Sequence, residues 1–154
     1  MTEKELERKI TIESYGFDEC ETFNRIYADK NPNFKALSSV WTSGTKVFVV
    51  WKRGIFIRRL VGFASIIDCR VLKREEKRVK QLFDVPSQYE ELFINDFRID
   101  MFSRGKGIGS FVAKKILSEE RKYLLKPEED GIYFWPKMGF VYDSKKCYMT
   151  LDKK

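Results

Sequence analysis

The sequence predicts a single α/β domain of the α+β type, and three observations carry that prediction. Short segments rich in β-branched and aromatic residues recur from Ile10 to Leu151, one of them runs straight into a glycine-rich turn, and an amphipathic helix follows the turn. At 154 residues the chain has enough length for one buried core and too little for two, so one domain spanning 1–154 is expected.

The elements follow in order. Ile10 and Ile12 alternate with polar residues, the period of a half-buried strand, until Gly16 interrupts them. Asp18 with Glu21 three residues later resembles a capping box, and Phe23, Ile26 and Tyr27 recur at helical spacing to about Ala28, which predicts a short helix. Ala36 to Trp41 reads as a second helix or an ordered loop. Val47–Trp51 and Ile55–Ile67, either side of Lys52-Arg53-Gly54, predict a long antiparallel hairpin. Val71 to Gln81 is dominated by Lys, Arg and Glu and reads as a solvated excursion. The next strand, Leu92 to Asp100, alternates imperfectly around Asn95 and Asp96, as a strand does at a bulge. After Gly109, Phe111, Val112, Ile116 and Leu117 form an apolar helical stripe, with Lys114, Lys115, Glu119 and Glu120 facing water. Tyr123–Leu125 predicts a strand, Pro127–Met138 an irregular helix, and Val141 with Cys147–Leu151 a closing pair of strands.

Composition narrows the chemistry. There is no histidine, which removes Ser-His-Asp and Cys-His nucleophilic catalysis and leaves acid and base roles to Asp, Glu, Tyr or water. Cys20, Cys69 and Cys147 are odd in number and lack metal-ligand spacing, so neither a metal site nor a disulfide framework is expected. A net charge of +7 favours anionic partners. The N-terminus is charged, and no stretch approaches the roughly 20 apolar residues of a membrane span. A cytoplasmic protein with no membrane partner, as a monomer or homodimer, is the expectation.

The informative segment is Arg104-Gly105-Lys106-Gly107-Ile108-Gly109-Ser110. Its three glycines permit backbone conformations closed to other residues and leave no side chains to obstruct a ligand. At a helix start, unpaired N–H groups and the positive end of the helix dipole suit a phosphate or pyrophosphate, and Arg104 and Lys106 add charge. A dinucleotide fingerprint wants Gly or Ala where Ser110 stands, and a P-loop wants Ser or Thr where Gly107 follows Lys106, so both readings are disfavoured.

Arg104-x-x-Gly107-x-Gly109 after a strand resembles the acetyl-CoA motif of the GNAT superfamily of N-acetyltransferases. Phe134-Trp-Pro-Lys-Met-Gly-Phe140 is similar to that family's late helix-to-strand signature, and Val61-Gly62-Phe63-Ala64 suits its third strand. The resemblance covers Leu60 to about Phe140. It implies the GNAT fold: a central mixed, mostly antiparallel sheet of six to seven strands with helices on both faces. It also implies an acetyl-CoA-dependent enzyme, without a metal, in which an amine attacks the thioester directly in a ternary complex. By motif position the backbone of Arg98, Ile99 and Met101 would pair with the pantetheine arm, and Gly105, Lys106, Gly107, Ile108, Gly109 and Ser110 would hold the pyrophosphate with Arg104 beside them. Asp96 is the first candidate for the base that takes the ammonium proton, with Glu91 the runner-up, and an ion pair with Arg98 is the alternative reading of Asp96. Trp135 stands where many members place a tyrosine acid, and an indole N–H cannot serve there. Tyr133 replaces that acid only if the backbone around Pro136 is irregular, since two positions along a regular helix point about 200° apart.

The acceptor implied is an amine of a small molecule, a protein or an aminoacyl-tRNA. Two alternatives stand beside it: a GNAT-fold CoA-binding protein with weakened catalysis, and a nucleic-acid-binding module using Lys73, Arg74, Lys77, Arg78 and Lys80.

Overall fold

A computed structural model describes residues 1–27, 41–71, 91–100, 103–128, 131–145 and 147–153. Seven strands form one sheet: β1 (Ile10–Tyr15), β2 (Thr45–Arg53), β3 (Arg58–Asp68), β4 (Leu92–Ile99), β5 (Lys122–Leu125), β6 (Val141–Asp143) and β7 (Tyr148–Asp152). Their order is β1-β2-β3-β4-β5-β7-β6, and every neighbouring pair is antiparallel except β4 and β5. Four α-helices accompany the sheet among the described residues: α1 (Glu3–Lys9), α2 (Cys20–Tyr27), α3 (Ile108–Ile116) and α4 (Gly131–Phe134). This is the mixed, mostly antiparallel architecture expected.

Strand alternation sorts the core onto two faces. Val47 and Val49 of β2 pack with Phe63 against Phe23 and Tyr27 of α2. Val50 points the other way, joining Ala64 and Ile66 under Phe111, Val112 and Ile116 of α3. The bulge is where the broken alternation placed it. The β3–β4 ladder pairs Ser65 with Asp96 and Ile66 with Ile94, leaving Asn95 as the extra residue. Ile94 therefore shares the α3 face with Phe97 and Ile99, a spacing that uninterrupted alternation forbids.

The structure departs from the sequence reading in several elements. The N-terminal α1 was not expected from its charged residues. It is held by a capping box in which the Thr2 hydroxyl accepts the Glu5 N–H and the Glu5 carboxylate accepts the Thr2 N–H. Burial of Leu6, worth about 2 kcal/mol, docks α1 beside α3. Before α2, it is Glu19 rather than Glu21 that reaches back, accepting the Gly16 N–H at 3.1 Å. A 3-10 turn, Phe17–Glu19, precedes the helix. In the hairpin, Ile55, Phe56 and Ile57 belong to the turn, closed by Gly54 N–H donating to Ile57 O at 2.9 Å, and β3 starts at Arg58. β-Branched residues read as strand whether or not a ladder partner exists, which is why the turn escaped notice. Among the described residues of 127–138 the structure holds α4 and a 3-10 turn, Trp135–Met138, ended by Gly139 at φ +96°. Residues 36–40 of the second-helix expectation and 72–81 of the basic excursion lie outside the described residues. No helix among the described residues is long and apolar enough to cross a membrane.

Candidate functional site

The parallel ladder between β4 and β5 ends where Ile94 pairs with Leu125, and β4 continues to Ile99 paired with β3 but no longer with β5. The backbone of that free stretch faces an opening. Asp100 N–H donates to Val61 O at 2.7 Å, and the Arg98 carbonyl lies 2.5 Å from where a Gly62 Cβ would stand, so both residues turn their backbone groups to β3. By alternation Phe97 and Ile99 direct theirs into the opening. The Ile99 carbonyl accepts a hydrogen bond from Arg104 Nε at 3.1 Å, which ties the end of β4 to the following turn.

That turn is built by glycines in the left-handed region, Gly105 at φ +79° and Gly107 at φ +81°. Gly107 caps α3 without a side-chain hydrogen bond, and the first intrahelical bond runs from Phe111 N–H to Gly107 O. The N–H groups of Ile108, Gly109 and Ser110 consequently have no partner within the helix. Gly109 and Ser110 border a cavity of about 520 Å³ that Ile99, Arg104, Gly105 and Gly107 also line. A Cβ at Gly109 would stand 3.3 Å from the Phe134 ring, so the wall of the cavity tolerates little there. Glycine turn, unpaired donors and adjacent cations fit the pyrophosphate of a CoA, and the paired-strand opening fits its amide-bearing arm.

A second cavity of about 230 Å³ contains Asp96, Arg98 and Glu128. Phe97, Arg104, Gly131 and Trp135 line both cavities, so the two meet at these residues. Trp135 is buried, edge-on to Phe97 at 5.0 Å and to Phe140 at 5.1 Å. Gly131 lets the indole approach, for a Cβ there would lie 3.0 Å from the ring. Burial is the strongest influence on Asp96 and pushes its carboxyl above the usual range; Arg98, whose Nε lies 3.6 Å away, offsets part of this, and Glu128 adds to it. The Asp96–Arg98 ion pair is real, and it does not return the carboxyl to ordinary behaviour.

Among the residues singled out from the sequence, Ile99, Arg104, Gly105, Gly107, Gly109 and Ser110 line the larger cavity and Asp96 the smaller. Lys106 is exposed on the turn, and Ile108 is buried beneath it in the core. Three expectations do not match this geometry. The Arg98 backbone is spent on β3, so its side chain alone reaches a cavity. The Tyr133 ring is 79% exposed and lines neither cavity, because α4 is regular and irregularity begins only at Trp135. Glu91 lies at the closed end of β4, where its carbonyl accepts the Cys69 N–H. Met101 lies outside the described residues. Sequence reasoning missed Phe97, Glu128 and Gly131. Phe97 was within reach, since the bulge at Asn95 resets the alternation in its favour.

The order of the sheet, the opening between its two parallel strands and the strand, glycine turn and helix at its edge define the GNAT fold. Solved structures similar to this chain include an acetyltransferase of the GNAT family from Staphylococcus aureus Mu50, with TM-score 0.56 and 13% identity over 94% of this chain and 99% of that one. The N-acetyltransferase YlbP of Bacillus subtilis, in complex with coenzyme A, has TM-score 0.50 and 13% identity over 93% and 96% of the two chains. Arabidopsis thaliana NAA60, in complex with acetyl-CoA, has TM-score 0.50 and 15% identity over 87% and 85%. At these identities the likeness is one of fold. No protein-family model and no curated protein matches the chain.

Proposed function

We propose that this protein is an acetyl-CoA-dependent N-acetyltransferase that transfers an acetyl group to a primary amine. The observation that carries this reading is the continuity of the opening beside Phe97 and Ile99, the uncapped glycine turn, and a second cavity holding a carboxyl shifted upward.

Acetyl-CoA supplies a thioester carbonyl open to attack by an amine. The first-turn N–H groups of α3, with Arg104 and Lys106, bind its pyrophosphate, and the outward-facing backbone of Phe97 with the N–H of Ile99 orients its amides, the Ile99 carbonyl being held by Arg104. Asp96 accepts the proton that an ammonium must lose before its nitrogen can attack. Phe97 and Trp135 form an aromatic wall where the two cavities meet. With Trp135 in the late motif and Tyr133 outside, no side-chain acid is assigned, and the departing thiolate takes its proton from solvent.

A second reading, CoA binding with weakened turnover, is favoured by that same missing acid. An assay of CoA release and acetylated product over a panel of primary amines, with an Asp96→Asn variant, separates the two. Transfer by the wild type, reduced about 10²-fold or more in the variant with unchanged acetyl-CoA affinity, supports catalysis through Asp96. Tight binding with no transfer to any amine supports the second reading.

A further inference from the structure

The β2–β3 hairpin ends in a feature that the proposed chemistry does not use. Ile55, Phe56 and Ile57 are consecutive, large and apolar, and they are 92%, 95% and 78% exposed. Isolated exposed apolar residues are ordinary on a protein surface, but three in a row at a protruding tip are not. Cations from three elements lie near this tip: Arg8 and Lys9 end α1, Lys52 and Arg53 end β2, and Arg59 is the second residue of β3. Arg8, Lys9, Arg53, Gly54 and Ile55 line one shallow cavity at its foot. Among the described residues no carboxylate pairs with Lys9, Lys52, Arg53 or Arg59. Burial and the repulsion of Lys106, Arg59 and Lys9 together lower the affinity of Lys52 for its proton, a mark of uncompensated positive charge.

We propose that the Ile55-Phe56-Ile57 tip, with Arg8, Lys9, Lys52, Arg53 and Arg59 near it, docks the protein on the surface of an anionic lipid bilayer. The apolar side chains enter the boundary between headgroups and acyl chains, and the cations meet the anionic headgroups. The base of the hairpin is rigid enough to present them. Arg58 is held by Glu13 at 2.6 Å and lies over the Trp51 ring at 4.2 Å, and the Gly54 N–H to Ile57 O bond closes the turn. Aliphatic side chains at a convex tip offer no stacking platform for bases beyond Phe56, which disfavours RNA as the occupant. Cations clustered at the foot of an apolar tip suit a surface that is anionic throughout better than a shaped protein pocket. The expectation of no membrane partner rested on the lack of a spanning segment, and a peripheral contact requires none.

The test is co-sedimentation of the full chain with vesicles of phosphatidylcholine alone and with phosphatidylserine added. Binding at least tenfold tighter to the anionic vesicles and weakened by salt is expected. A triple variant, Ile55→Ser with Phe56→Ser and Ile57→Ser, and a separate Lys52→Glu/Arg53→Glu variant should each lose tenfold or more. Ile55, Phe56, Ile57 and Arg53 are exposed, and Lys52 is half-buried among other cations with no carboxylate partner among the described residues, so the melting temperature of each variant should stay close to that of the wild type. A Phe56→Trp variant should shift its emission to the blue on anionic vesicles. Equal binding by the triple variant, or no shift, overturns the proposal. So does a tip-dependent association with RNA, or with a second copy of the chain, in the absence of vesicle binding.

Discussion

At the scale of the residue, Asp96 carries the most consequence. A base must be ionised to accept a proton, and burial holds the Asp96 carboxyl protonated to higher pH than an exposed aspartate. Activity should therefore fall on the acid side with a midpoint above the ordinary aspartate range. Arg98 and Glu128 move that midpoint in opposite directions. An Arg98→Ala variant removes the compensating cation and should move the acid limb to higher pH, whereas Glu128→Gln removes a like charge and should move it lower. Profiles of kcat against pH for the three proteins check this, and an acid limb indifferent to both substitutions would assign it to another group. Trp135 shows how position and chemistry separate: it stands where the sequence resemblance implies an acid, and it is buried against Phe97, Phe134 and Phe140 as a wall.

At the scale of the element, the opening between β4 and β5 needs its other end closed. Arg121, just before β5, donates from both terminal nitrogens to Asp68 at the end of β3, at 2.7 and 2.8 Å, reaching across the start of β4. Burial raises the Asp68 carboxyl, but the hydrogen bonds from Arg121 and Arg70 together outweigh it and bring it down to about 2. A carboxyl depressed by folding stabilises the fold above its unfolded value near 4, and the benefit disappears as pH falls toward 2. After discounting for solvent screening at this partly exposed pair, we expect Arg121→Met to cost about 1–2 kcal/mol at neutral pH. The cost should shrink in acid, which thermal melts across that pH range will show; a constant cost would mean that packing, not charge, is responsible. The strands and α3 were legible in the sequence because their apolar residues follow a period that the core then uses. The bulge at Asn95 was legible for the same reason, as a break in period. The hairpin tip was not, since Ile55 and Ile57 carry strand composition without a strand partner. The charged α1 was signalled only by Thr2 and Glu5, three residues apart, a spacing easily lost among so many acidic residues.

At the scale of the whole molecule, the sheet does two jobs. Its antiparallel strands β1 to β4 carry the two-sided core, and its single parallel junction makes the opening in which the proposed cofactor is held. The glycine turn was legible as a left-handed turn opening a helix because conformation there depends on local sequence. The cavity around Asp96 was only half legible, because Glu128 and Gly131 reach it through the tertiary fold. The excess positive charge does not settle evenly: Lys9, Lys52, Arg59 and Lys106 gather at one end of the sheet, near both the turn and the hairpin tip.

The central claim, that this turn holds acetyl-CoA, is tested most directly by isothermal titration of the wild type and of Ser110→Glu with acetyl-CoA. A glutamate in the first turn of α3 favours the helix electrostatically, so the fold should persist while negative charge occupies the phosphate position. Saturable binding by the wild type, weakened at least a hundredfold in the variant without loss of thermal stability, is the expected result. Equal affinity in both proteins would place the cofactor elsewhere, and no binding by the wild type would contradict the account.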